Sequence, residues 1–205
     1  MHMSKTPRIG NAFQKVNRKG DVYYLQSKEG KSGQLAYSFT RKLTGEPVVA
    51  LPGGYEVREH PETAQVVIRR YRPSQISSEE KSLLEESIRQ RGTGLLFIVD
   101  VEDCFLTVYT SDMDAEVRLM ALHRIVSMDE QTELQRRHWM LANARYSRML
   151  RFALKDPKTR RFSVERWCFA GSIDNWIALR GDGSLSELAE KYVSHLNQES
   201  FFTLR

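Results

Sequence analysis

Asp100, Glu102 and Asp103, next to Cys104, form the tightest carboxylate cluster in the chain. Two carboxylates on one strand face can hold Mg²⁺ for phosphoryl transfer, and Asp100 and Glu102 are two residues apart, as a shared face requires. A metal-dependent phosphoryl-transfer enzyme is therefore one reading. The plainer one is a solvated turn between the apolar runs at Leu95-Leu96-Phe97-Ile98-Val99 and Phe105-Leu106-Thr107-Val108-Tyr109, and it is favoured because no nearby Lys or His completes a nuclease-like set. His2, His60, His123, His138 and His195 never fall at metal-ligand spacing with one another or with Cys104 and Cys168, so the sequence implies no metal site and no cofactor. Cys168 stands between Trp167 and Phe169 in a strand-like run, the setting of an inert buried thiol rather than of a nucleophile, and no catalytic residue is assigned. Gly92-Thr93-Gly94 and Gly181-Asp182-Gly183 are too short to cradle a phosphate and read as loops at helix boundaries.

Charge carries the stronger signal. Residues 1–73 hold thirteen Lys and Arg against six Asp and Glu, while the remainder is slightly acidic, so the net +5 of the chain comes from its first third. Concentrated positive charge points to a polyanion or an acidic partner. The cation pool is Lys5, Arg8, Lys15, Arg18, Lys19, Lys28, Lys31, Arg41, Arg58, Arg69, Arg70 and Arg72. Tyr23, Tyr37 and Tyr55 lie among these cations, and aromatic faces beside Lys and Arg suit nucleic acid, the cations releasing counterions and the rings stacking on bases. The leading expectation is a non-catalytic nucleic-acid-binding accessory or regulatory protein that works through this basic β surface. The alternative is an interaction module docking on an acidic protein partner, and the bland reading is a solvated basic exterior.

The elements that must position these residues change character along the chain. Residues 1–19 form a basic arm without acids or sustained periodicity. Residues 20–73 read as a small all-β unit: Val22–Leu25 and Leu35–Phe39 flank a turn with Gly30 and Gly33, and Tyr55–Arg58 and Val66–Ile68 repeat the hairpin grammar. Residues 74–205 read as an α+β domain. Ser77 with Glu80 has capping-box spacing ahead of a helix at about 77–91, and the same signal at Ser127/Glu130 and Ser184/Glu187 places helices near 128–143 and 185–195, with a short one from Asp114 to His123. Trp139 on the second of these is expected in the core. Met149–Leu154 and Phe162–Phe169 flank Asp156-Pro157-Lys158-Thr159, a hairpin, and give the domain a four-stranded, mainly antiparallel sheet with packed helices. The terminal Phe201-Phe202-Thr203-Leu204 is expected to dock back onto the same chain.

No apolar run approaches the roughly 20 residues of a membrane-spanning helix, and residues 1–19 lack the apolar stretch of a signal peptide, so a cytoplasmic protein with free thiols and no membrane partner is expected. Gly20-Asp21-Val22-Tyr23-Tyr24-Leu25, Gly54-Tyr55-Glu56-Val57, Arg166-Trp167-Cys168-Phe169-Ala170-Gly171-Ser172-Ile173-Asp174 and Glu199-Ser200-Phe201-Phe202 together resemble a family of uncharacterised bacterial proteins. That resemblance implies a bacterial origin and no particular activity, ligand or site residue.

Overall fold

The structure, a computed structural model, describes residues 12–30, 33–91, 96–111, 135, 139–140, 142–170 and 173–205. Among the described residues antiparallel sheets dominate and helices are few, an α+β arrangement. It divides into two compact units, one of residues up to Tyr71 together with the short piece at 141–143, the other of the remaining residues from Arg72 onward. No helix among the described residues is long and apolar enough to cross a membrane.

In the first unit, β1 (Gln14–Val16), β2 (Val22–Glu29), β3 (Leu35–Thr40) and β4 (Glu46–Pro47) form one sheet in which β2 pairs antiparallel with each of the others. A separate ribbon joins β5 (Tyr55–Glu59) to β6 (Val66–Arg70). Strand alternation turns Tyr23 and Leu25 inward, where they meet Phe39 and Val66 in a small core flanked by Phe13, Val48, Val57 and Ile68. Two buried amides hold the loops. Asn17 Oδ1 accepts from the backbone N–H of Lys19 (3.0 Å) and Asp21 (2.8 Å), closing the β1–β2 turn, while its Nδ2 donates to the Ala64 carbonyl at 2.8 Å. Gln26 Oε1 accepts from the N–H groups of Thr44 and Gly45, both at 2.9 Å, and so fixes the approach to β4. Gly45 is required there by space: a Cβ would lie 2.5 Å from the Ser27 carbonyl oxygen.

The second unit begins with α1 (Ser78–Arg91). Its start follows from the sequence: Ser77 N–H donates to Glu80 Oε2 (2.9 Å) and Glu80 N–H to Ser77 Oγ (3.3 Å), a reciprocal cap. Acids in the first turn and Arg89 and Arg91 in the last suit the helix dipole, and Leu84 and Ile88, one turn apart, are buried. Five strands follow, β7 (Phe97–Glu102), β8 (Phe105–Ser111), β9 (Tyr146–Asp156), β10 (Arg161–Ala170) and β11 (Ile173–Gly183), in the antiparallel order β11-β10-β9-β8-β7. This corrects the four-stranded expectation. Ile173–Gly183 is a strand, and Gly181 and Gly183, read from sequence as a helix-boundary loop, lie inside it beside a register shift opposite Ser163 and Glu165.

The helix α2 (Leu185–Tyr192) and two 3-10 turns, Val193–His195 and Glu199–Thr203, complete the unit. Leu106, Val108, Leu150, Phe152, Phe162 and Val164 from one sheet face pack with Leu84, Ile88, Leu188, Ala189, Tyr192 and Phe201. The C-terminus does dock on its own chain, as a 3-10 turn that buries Phe201 completely and leaves Phe202 59% exposed. Trp139 is 64% exposed, which corrects its expected place in the core. The helices expected at 114–123 and over most of 128–143 lie outside the described residues.

At α2, Ser184 and Glu187 form the full capping box. The Ser184 N–H and hydroxyl hold the Glu187 carboxyl below its usual pKa. A carboxylate whose folded pKa is depressed stabilises above its unfolded value, and that support is lost as pH falls through the folded one. Ser184→Ala removes the cap hydroxyl, an expected cost of about 1 kcal/mol from the lost N-cap, and flattens the acid limb of the stability profile only in part, because the Ser184 backbone N–H that contributes most to the lowering stays; urea unfolding at a series of pH values reads both.

Candidate functional site

The first unit spends many of its arginines on itself. Arg18 binds Glu59 at 2.7 Å and donates to the carbonyls of His60 and Pro61, a half-buried clasp on the β5–β6 ribbon. Arg41 pairs with Asp21 at 2.9 Å, and Arg69 with Glu56 at 2.6 Å. Arg58 is half-buried and already engaged. Lys15, Lys19, Lys28 and Arg70 are exposed and form no ion pair among the described residues. Arg72 is exposed at the start of the second unit, while Lys5, Arg8 and Lys31 lie outside the described residues.

The three tyrosines separate. Tyr23 is 6% exposed, a core residue with the Arg41 guanidinium over its ring at 5.6 Å, and it offers no open face. Tyr37 on β3 and Tyr55 on β5 are half-buried and meet edge-on, ring centroids 5.4 Å apart. Tyr55 faces Arg70 directly across the β5–β6 ribbon, and the guanidinium lies 5.4 Å from its ring centroid. Tyr71, the next residue, is 60% exposed. The fold thus gathers Tyr37, Tyr55 and Arg70 into one corner, and Lys28 sits one register step from Tyr37 on the adjoining strand. A ring edge, a ring face and an exposed cation at one corner can stack on a planar base and neutralise its phosphate.

A second constellation escaped the sequence reading. On the sheet face of the second unit that turns away from α1 and α2, Arg151 lies between the rings of Phe105 (4.6 Å) and Trp176 (4.4 Å) and pairs with Glu165 at 2.5 Å. Trp176 meets Trp167 edge-on at 5.2 Å, and Arg148 covers Trp167 at 4.7 Å. Strand register builds this ladder: Arg151 is opposite Glu165 on one side and Thr107 on the other, and Trp167 is opposite Trp176. The signal was present in the sequence, since a tight turn at Asp156–Thr159 brings position 151 level with 165. Arg151 is held by a carboxylate as well as by two rings, and Arg148 is engaged beyond the Trp167 ring, so the cluster reads as a brace of the sheet.

Asp100 and Glu102 do share a face of β7, Asp100 half-buried and Glu102 exposed, and both are engaged in interactions. Among the described residues no three His, Cys, Asp or Glu stand where they could hold a metal ion. Cys168 is buried and Cys104 half-buried, both as free thiols. Between α1 and α2 runs a groove of about 230 Å³, lined by Glu86, Ser87, Gln90 and Ser186 and crossed by the Arg91–Glu190 pair at 3.1 Å. No protein-family model, no curated protein and no solved structure matches this chain.

Proposed function

We infer that the chain is a non-catalytic nucleic-acid-binding protein whose first unit contacts the ligand through the Tyr37–Tyr55–Arg70 corner and the exposed lysines around the β1–β2–β3 sheet. The observation that supports this reading most is the meeting of Tyr55 and Arg70 as a direct cross-strand pair, with the guanidinium exposed. In it, the arginines bound to Glu59, Asp21 and Glu56 shape the unit, and Lys15, Lys19, Lys28 and Arg70 meet phosphates. A ligand engaging only a few phosphates binds modestly and depends on salt, and stacking on Tyr55 favours unpaired bases over duplex.

Fluorescence anisotropy with labelled single- and double-stranded DNA and RNA tests this across a salt series. The expected result is a preference for single strands, with log K falling against log salt at a slope of roughly −2 to −3 for three or four neutralised phosphates. Tyr55→Ala is expected to remove about 1–3 kcal/mol of affinity at every salt, as loss of one stacked base does. Lys28→Glu should instead lower the salt slope. Absence of binding at low salt sinks the reading, and co-purification of a stoichiometric acidic protein would put docking in its place.

A further inference from the structure

The outer edge of β11 matches itself. Among the described residues β11 pairs only with β10, so its other edge is open from Asp174 to Ala178, while the Arg180 carbonyl is taken by the Tyr192 hydroxyl at 2.6 Å. Two strands of this sequence laid antiparallel about a two-fold at Ile177 place Asp174 opposite Arg180 twice, Asn175 opposite Leu179, and Trp176 opposite Ala178. Both charged residues are exposed, and the small exposed Ala178 leaves room for an indole beside it. The backbone agrees with this register. The Trp176 N–H is held at 2.8 Å by the side-chain oxygen of Asn175, its own neighbour, a side chain standing where an added strand would supply a carbonyl. Alternation then sets the Ala178 N–H and carbonyl toward the same edge, so residues 176 and 178 of two copies can exchange both ladder bonds.

The opposite edge of the sheet shows what a blocked edge looks like. β7 carries only acids, Asp100 and Glu102, so a second β7 laid against it brings carboxylates together in every nearby register, a common protection of edge strands. Over the stretch from Asp174 to Arg180, β11 carries one charge of each sign, spaced evenly about Ile177, with Asp182 beyond it.

We propose that this protein forms a symmetric dimer by antiparallel pairing of β11 with β11 of a second copy, centred on Ile177, which joins two five-stranded sheets into one continuous sheet. The two-fold runs perpendicular to the sheet, so the face bearing Trp167, Trp176 and Arg151 continues from one copy into the next. Gly181, at φ +102°, bends the strand beyond Arg180 and ends the paired stretch.

Sedimentation velocity of the full chain over a concentration series tests the proposal, because it fixes both the stoichiometry and the sign of each charge contact. The expected result is a monomer–dimer equilibrium. Arg180→Asp and Asp174→Arg each turn two opposite-charge pairs into like-charge pairs and should weaken dimerisation about tenfold or more, while the double exchange restores it. Ile177→Cys should give a covalent dimer on mild oxidation well above the background of Cys104 and Cys168, since only residue 177 meets its own copy in this register. Retained far-ultraviolet circular dichroism in each variant separates loss of pairing from loss of fold. A monomer at every concentration overturns the proposal, and so does a dimer indifferent to both charge reversals.

Discussion

Phe201→Ala is expected to destabilise the second unit by about 3–5 kcal/mol, whereas Phe202→Ala, one residue on, should shift its stability by less than about 0.5 kcal/mol. The contrast follows from the 3-10 turn at Glu199–Thr203, which sends Phe201 into the core at 0% exposure and leaves Phe202 59% exposed. Truncation of Phe201 removes the transfer energy of the ring and leaves a cavity among strands and helices that pack from both sides. That loss is a large fraction of what holds a domain together, since whole domains are stable by only about 5–15 kcal/mol. Urea unfolding followed by tryptophan fluorescence reads the effect cleanly, because Trp139, Trp167 and Trp176 all lie in the second unit. Equal losses at the two positions would contradict the described turn.

Asn17→Ala should cost the first unit about 2–3 kcal/mol, a large effect for a small β unit. The carboxamide is 5% exposed and serves two loops at once, closing the β1–β2 turn with its oxygen and holding the Ala64 carbonyl with its nitrogen. Ala64 is itself fully buried and sits at φ 61°, so its backbone conformation is costly and depends on this anchor. Without Asn17, buried polar groups on both loops lose their partners, which is the expensive half of a hydrogen bond. Asn17→Asp keeps the acceptor and loses the donor, and should fall between the wild-type chain and Asn17→Ala. Hydrogen exchange at the Leu25 and Val66 amides checks the order, with protection falling most in Asn17→Ala.

Local grammar was legible in this sequence where one residue type has one physical use. The Ser-x-x-Glu spacing at Ser77 and Ser184 located the starts of α1 and α2, since a hydroxyl and a carboxylate three residues apart satisfy two orphan N–H groups reciprocally. The hairpin joining β9 and β10 was legible through Asp156, whose carboxylate accepts from Lys158 and Thr159 and closes the turn. β11 was missed because Gly181 and Gly183 weaken a strand pattern locally, while the partner that stabilises it, β10, is known only once the sheet is assembled. Among the candidate site residues, charge counted along the chain says nothing about pairing. Arg18 and Arg41 belong to the cation pool but are held by acids 41 and 20 residues away, and Arg69 by the cross-strand Glu56, whereas Arg70, next to Arg69, lies over Tyr55 and is exposed. Alternation along one strand separates those two neighbours.

The strand order β11-β10-β9-β8-β7 also has a consequence for how the second unit acquires its structure in time. Every ladder in it joins strands that are consecutive in the chain, but the connections are unequal: β7–β8 and β9–β10 turn within a few residues, and β8 must wait for a partner that begins only at Tyr146. Contacts between β8 and β9 are far more distant in sequence than those within either hairpin. The hairpin β7–β8 and the meander β9–β10–β11 are therefore expected to form as separate early pieces, with the docking of Leu106 and Val108 against Leu150 and Phe152 setting the pace of folding, so that truncations at these four positions should slow refolding.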